Sequence, residues 1–373
     1  MKISFHKADF LNSILKAQSI ISAKTPLPIL NNLMIETAAE HVLVTATDLQ
    51  VWVSCNCPAK ITEEGATTLP ARLLSSVIRE LPGDEVNLAT DSKDITTITC
   101  GRSFFKIMGV SRAEYPKEPE FPGKESFILE QNIFSDMIRK CVYAISREDS
   151  RYALMGLYFL LKDKKLTLVA TDGRRLSKIE TPVSIDNKFK KDFIVHLKGV
   201  EELNKLLGSE GEVKIFLEKN HAAFHLEHTK LLSRLIDGVF PDYERVIPES
   251  CLKKIKLSKA ELLSLVKQVS TMTTEKNLMV RMKFEKEKLT LTVKTNDVGE
   301  ARADMPIDYS EEELDLEVGF NPKFLADSLE SINEDEIIFE LSDAQSPGVI
   351  KADGSFIHVI MPMRLHEDNV DNE

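Results

Sequence analysis

No apolar run in this 373-residue chain approaches the roughly 20 residues needed to cross a bilayer, so no membrane partner is expected. The opening MKISFHKADF lacks the basic-then-apolar layout of a secretion signal, and a cytoplasmic location is the expectation. Cysteine is scarce. Cys55, Cys57, Cys100, Cys141 and Cys251 form an odd set without C-x-x-C spacing, which suggests neither a disulfide framework nor a cysteine zinc site. They read as buried or half-buried thiols. The patterns G-x-x-x-x-G-K-[ST], G-x-G-x-x-G and G-x-S-x-G are also missing, so no cofactor and no catalytic residue is expected. Positive charge is in deficit: 48 Lys and Arg against 59 Asp and Glu leave a net -11. Nucleic-acid binders usually carry a basic excess, so bulk charge points away from DNA unless the charges are segregated in space. What is present is apolar material, 43% of residues, enough for the cores of two or three domains.

The chain repeats itself. LNNLMIETAAEHVLVTATDLQVWV, LMGLYFLLKDKKLTLVATDGRRLSKI and LMVRMKFEKEKLTLTVKTNDVGEARA each read as strand, polar turn, strand, acidic residue and third strand. The acidic residues are Asp48, Asp172 and Asp297, separated by 124 and 125 residues. A helical pattern precedes each triplet: ADFLNSILKAQSII, NIFSDMIRKCVYAI and KAELLSLVKQVS. Phe10, Ile14 and Ile21 share a face with Leu11 and Leu15. Ile133, Met137 and Cys141 do so with Phe134 and Ile138, and Leu262, Val266 and Val269 follow suit. A second helix follows each triplet (PARLLSSVIREL, KGVEELNKLL, NPKFLADSLESI), and strands such as EVNLAT, EVKIFLE and EIIFEL come next.

The expected fold class is therefore α+β: three similar domains, each of two strand-helix-strand-strand halves, over residues 1–123, 124–248 and 249–365, with an acidic tail at 366–373. Proline and charge cluster at YPKEPEFPG and FPDYERVIPES, where the chain passes from one copy to the next. A sheet with one face to cover and a helix with one apolar stripe satisfy each other, and edge strands remain to pair with the next domain. Equal modules joined edge to edge make an arc, and two arcs can close a ring.

Two chemistries compete for attention. The repeated aspartates suggest carboxylate catalysis, but equivalent positions in different domains do not converge on one substrate, and a strand-bend role suits them better. His221, His225 and His228 in HAAFHLEH suggest metal, but the segment reads as a hairpin, where this spacing does not align ligands, and no metal site is expected.

LPILNNL, VATDGRRL, DGVFPDYERVIP and MPMRL occur in that order along the repeat. Together, over residues 1 to about 365, they resemble the bacterial sliding clamps, the beta subunits of DNA polymerase III. The resemblance implies a non-catalytic processivity factor: a DNA-clamp homodimer encircling duplex DNA without reading its sequence. Helices would line the hole and sheets form the wall. Implied partners are double-stranded DNA, the polymerase III catalytic subunit, an ATP-driven clamp loader, and other polymerases and repair proteins that dock short peptide motifs. Basic residues on or beside the helices (Lys16, Arg72, Arg79, Arg139, Lys140, Lys198, Lys205, Lys259, Lys267, Lys323) would attract phosphates. The same charges also suit a plain solvated face.

Residue by residue, the resemblance implies DNA contacts at Lys24, Arg72, Arg79, Arg147, Arg151, Tyr152 and Lys198. Lysine at 24 and Ala153 depart from some relatives. It implies a partner-peptide groove of Leu154, Thr171, Gly173, Arg174, Leu176, Pro241, Arg245, Val246, Val359, Met361, Pro362, Met363 and Arg364. Flexible methionines would accept varied apolar side chains, although MPMRL alone also suits an edge strand. It implies a dimer interface of Arg102, Phe104, Phe105 and Ile107 against Met272, Glu300 and Asp304. The rivals are a repeat-built interaction scaffold with no DNA inside, and a hydrolase using the repeated aspartates. The tail holds four of the eleven net negative charges; in a ring, the remaining acid would lie outside and the base inside.

Overall fold

In the computed structural model of the chain, the described residues are 1–22, 25, 27–121, 125–184, 190–295, 297–309, 314–352 and 354–365. The acidic tail lies outside them. The first repeat runs β1 (Lys2–His6), α1 (Lys7–Gln18), β2 (Asn32–Ala38), β3 (His41–Thr47), β4 (Val51–Glu63), β5 (Ala66–Pro70), α2 (Ala71–Glu80), β6 (Glu85–Thr90), β7 (Ile95–Cys100) and β8 (Ser103–Met108). The second runs β9 (Glu125–Glu130), α3 (Gln131–Val142), β10 (Gly156–Lys162), β11 (Lys165–Thr171), β12 (Arg175–Pro182), β13 (Lys191–His196), α4 (Leu197–Leu206), β14 (Glu212–Leu217), β15 (His221–His225) and β16 (Thr229–Arg234). The third runs β17 (Lys253–Ser258), α5 (Lys259–Ser270), β18 (Val280–Glu285), β19 (Lys288–Thr295), β20 (Gly299–Pro306), β21 (Asp315–Phe320), α6 (Pro322–Ser331), β22 (Glu336–Leu341), β23 (Gly348–Ala352) and β24 (Phe356–Ile360). Each half is thus β-α-β-β-β, one strand richer than expected.

Local chemistry sets the helix starts. The Ser258 hydroxyl accepts from Glu261 N at 3.4 Å ahead of α5, and Asn321 Oδ1 accepts from Lys323 N at 2.9 Å with Pro322 at the first position of α6. His196 Nδ1 plays this part for α4, accepting from Lys198 N at 3.2 Å. Phe10, Ile14 and Ala17 of α1 are fully buried against sheet and α2. Leu15 and Ile133, expected on the buried faces, are 43% and 39% exposed. Leu15 follows Ile14 and so points about 100° away from it around the helix axis.

The chain divides into two compact units, Met1–Ser135 with Val195–Ile236, and Asp136–Ile194 with the chain from Asp237 onward. The division cuts α3 after Ser135 and β13 after Ile194. In the first unit one 12-stranded sheet runs β8-β7-β6-β1-β4-β16-β15-β14-β9, with β3, β2 and β5 branching from β4. Strand β4 is 13 residues long. Its first part is held between β3 and β16, and its last residues pair with β1. The second unit has an eight-stranded sheet, β13-β10-β11-β12-β24-β23-β22-β17, and a four-stranded one, β20-β19-β18-β21. The expected pairing of one repeat's edge with the next is real: β4 meets β16, and β12 meets β24. His221 and His225 lie on β15, in a hairpin with β16, and His228 is in its turn.

Candidate functional site

The turn between β11 and β12 is built from Thr171 and Asp172. Thr171 Oγ1 donates to Arg175 O at 2.6 Å and accepts from Gly173 N at 3.0 Å. Asp172 Oδ1 accepts from the backbone of Arg174 and Arg175 at 2.9 and 3.0 Å. The first repeat does the same. Thr47 Oγ1 donates to Val51 O at 2.8 Å and accepts from Leu49 N at 2.9 Å, while Asp48 Oδ1 takes the amides of Gln50 and Val51. The residue after the aspartate has positive φ in both, +85° at Gly173 and +74° at Leu49. Only glycine adopts that region without strain. Strands β3, β11 and β19 all end on threonine, at Thr47, Thr171 and Thr295. This shifts the third equivalence: the position matching Asp48 and Asp172 is Asn296, outside the described residues, and Asp297 falls one residue later. Asp48 and Asp172 cap their turns, in keeping with the strand-bend role expected of all three aspartates.

Around this turn the second unit gathers most of the expected groove. Thr171 pairs with Leu176, Leu176 with Val359, and Met361 N donates to Arg174 O at 2.9 Å. Leu154, Leu176 and Val359 are buried, whereas Met361 is 43% exposed and Arg174 and Arg364 are exposed. Met363 N donates to Gly319 O at 2.8 Å, so the MPMRL segment clips onto the edge of β21. Met361, Pro362, Met363 and Arg364 line a pocket of ≈ 530 Å³ with Leu365, Ala344 and Gln345, three residues outside the expected groove. Phe240 stacks on Tyr158 at 4.6 Å between ring centres, and Tyr243 is buried beside it. That anchors the loop carrying Pro241, Arg245 and Val246, all exposed; Arg245 Nε pairs with Asp242 at 2.7 Å.

The residue missed from sequence is Arg175. Its side chain is 7% exposed, with Nε on Asp172 Oδ2 at 3.1 Å, Nη1 on Asp327 Oδ2 at 2.6 Å and Nη2 donating to Tyr143 O at 2.6 Å. The guanidinium also lies over the rings of Phe324 (4.4 Å) and Tyr143 (5.4 Å). It ties the turn to α6 and to the end of α3. Nearby, Tyr143 Oη shares a 3.2 Å hydrogen bond with His358 Nδ1. Burial, and then the charge of Arg175, push the pKa of His358 down to about 3. One of its partners, Asp327, is 152 residues away along the chain, beyond the reach of any local sequence pattern.

The DNA-facing expectations fare unevenly. Lys24 lies outside the described residues. Arg72 and Arg79 are exposed on α2. Arg147 is exposed and lines a ≈ 530 Å³ pocket with Asp172, Arg174, Lys323 and Asp327. Tyr152 is 55% exposed. Arg151 is exposed, but its Nη1 donates to Asp172 O at 2.9 Å. Lys198 is held by Asp48 in an ion pair, so its charge is partly neutralised within the chain. Lys140, expected on a DNA-facing helix, is 2% exposed instead, with Nζ 3.2 Å from Asp136 and 3.6 Å from Glu334. A buried ammonium requires such carboxylates.

On β8, Phe104 is 65% exposed, Phe105 36% and Met108 67%, and Arg102 is exposed just before the strand. Ile107 is only 3% exposed, covered by the chain's own core rather than offered at the surface. Glu300 and Asp304 are exposed on β20, and Met272 is half-buried, its carbonyl accepting from Thr295 Oγ1 at 2.7 Å.

A frame of three repeats, each of two β-α-β-β-β halves, in which successive repeats share sheets, is the DNA-clamp fold. Family models for the DNA polymerase III beta subunit match nearly the whole chain: the N-terminal domain at 1–119, the central domain at 128–242 and the C-terminal domain at 244–364. The beta sliding clamp of Chlamydia muridarum is 35% identical over 368 residues, covering 99% of this chain and 100% of that protein. The sliding clamp of Bartonella birtlesii, in a crystal structure with griselimycin bound, superposes with a TM-score of 0.91 at 32% identity, over 98% of this chain and 100% of that one. The griselimycin-bound clamp of Pseudomonas aeruginosa gives 0.93 at 28%, with the same coverage. The chain belongs to the DNA polymerase III beta subunit family, the beta sliding clamps, which are processivity factors and not catalytic enzymes.

Proposed function

We propose that two copies of this chain close into a ring around duplex DNA and tether the replicative polymerase through the groove at the β11–β12 turn. The observation that carries the ring is a pattern in the strands. Within one chain β4 pairs with β16 and β12 with β24, always the fourth strand of one repeat with the last strand of the next. Strand β20 is the fourth strand of its repeat and β8 the last of its own, and each stands at a sheet end. A second copy, arranged head to tail, supplies the missing partner to both. Exposed Phe104 and Met108 offer an apolar contact there, and Arg102 and Lys106 face Glu300 and Asp304 in sign.

A closed ring holds its cargo topologically and raises the effective concentration of polymerase at the primer end. Phosphate contacts from Arg72, Arg79, Arg147, Arg151 and Tyr152, with Lys24 and Lys198, bind without reading sequence. The groove's mix of buried leucine and valine with half-exposed methionines suits short apolar peptides from several partners: polymerases, repair proteins and the loader that opens the ring. Griselimycin, bound by two relatives, is the groove ligand we expect this chain to share.

The test is retention on nicked circular against linearised plasmid after loading by a clamp loader and ATP. The ring predicts that protein stays on the circle and runs off free ends. Equal loss from both would refute it and favour a scaffold that ignores DNA topology.

A further inference from the structure

Arg151 stands between the two surfaces. It belongs to the 3-10 turn Asp149–Leu154, next to Tyr152 and three residues before Leu154 of the groove. Its backbone departs from helical geometry there, with φ -124° and ψ 58°. Its Nη1 donates to the Asp172 carbonyl at 2.9 Å, and the guanidinium lies over Gly173, where any Cβ would collide with Nη1. Two residues past Asp172, the carbonyl of Arg174 accepts from Met361 N at 2.9 Å. One side chain therefore caps the near end of a turn whose far end holds a groove residue. Asp172 spends its carboxylate on the inside of the turn, on the amides of Arg174 and Arg175 and on Arg175 Nε. Arg151 is the cap on the outside, at a solvent-exposed hydrogen bond that a phosphate can compete for.

We propose that Arg151 is a positioning residue shared by the groove and the DNA. Bound to the Asp172 carbonyl it holds the Gly173 turn in its groove-forming shape; drawn to a phosphate it releases that turn. The inference rests on the groove and DNA readings above and adds their regulation. Duplex DNA and groove ligand then weaken each other, and because binding free energies are linked the factor is the same in both directions. A single exposed hydrogen bond places the coupling at the low end of the usual range, on the order of fivefold.

The test is a binding cycle on the full chain with griselimycin and a short DNA duplex, each titrated alone and in the presence of saturating amounts of the other. The wild-type protein should bind griselimycin about fivefold more weakly when duplex is present, and duplex about fivefold more weakly when griselimycin is present. Arg151→Ala should show the weaker griselimycin affinity without DNA and no further loss on adding it. Arg72→Ala, on α2 of the other unit, should weaken duplex binding yet leave the fivefold factor in place. Arg151→Lys keeps the charge but loses the planar fork, and should fall between wild type and alanine. Independent binding of the two ligands to wild type, or a full coupling surviving in Arg151→Ala, overturns the proposal while leaving both sites standing. Failure of wild type to bind either ligand overturns the site reading beneath it.

Discussion

Arg175→Ala is the most informative single change in the second unit. It removes the cation from Asp172 and Asp327, leaves the Tyr143 carbonyl without its donor and empties the space beside Phe324. Taking one partner from a fully buried ion pair costs about 3–5 kcal/mol. Asp172 and Asp327 are 19% and 22% exposed, so water recovers part of that cost. Lost contact with the two rings adds about 1 kcal/mol. A net loss of about 3 kcal/mol follows, and for a cooperative unit of roughly 150–250 residues this lowers the melting temperature by about 6–12 °C. Calorimetry of the full chain, with hydrogen exchange across 171–176 and 323–327, would assign the loss to this unit. Arg175→Met combined with Asp172→Asn and Asp327→Asn should recover part of it, because the uncompensated carboxylates go with the arginine. Griselimycin affinity should fall in Arg175→Ala, since Asp172 then loses its brace. An unchanged melting temperature in Arg175→Ala would refute the view that this side chain holds the turn.

Other expectations follow from the same geometry. Leu49→Gly relieves a left-handed backbone that costs about 1–2 kcal/mol, against about 0.5–1 kcal/mol of added chain entropy, so thermal unfolding should show a net gain between about 0 and 1.5 kcal/mol. His358 is kept neutral in the fold, so the unfolded chain takes up the extra proton below its ordinary pKa of about 6.5. Stability should be intact above that pH and fall on acidification until about pH 3, by about 2 kcal/mol at pH 5 for this group; His358→Gln should flatten the pH 5–7 slope seen in urea melts. Phe104→Asp places a charge on the unpaired edge of β8 and should turn a dimer into a monomer by light scattering. Arg79→Ala should weaken duplex binding and reduce the slope of log affinity against log salt by about 1.

Much of the repeat was legible because its signals are local. Helical patterns located the six α-helices of the described residues, and Asp48 and Asp172 read as strand-bend residues, whose side chains cap their own backbone. The third turn escaped that reading by one residue, since aspartate was followed where threonine marks the strand end. The groove's Leu176 and Val359 were expected from the family resemblance, yet their meeting across β12 and β24 joins segments 183 residues apart.

What the sequence by itself determined is the period, the order of elements and the absence of long apolar spans and of nucleotide-binding patterns. These follow from propensity and patterning within a few residues. Only tertiary structure decided which basic residues face water. Lys140 and Arg175 read like their exposed neighbours, but carboxylates from Glu334 and Asp327 draw them inside. It also decided that β4 and β12 take partners from the following repeat while β8 and β20 end their sheets. Strand pairing is a contest among all available edges, settled by long-range register and burial rather than by the residues of any one strand.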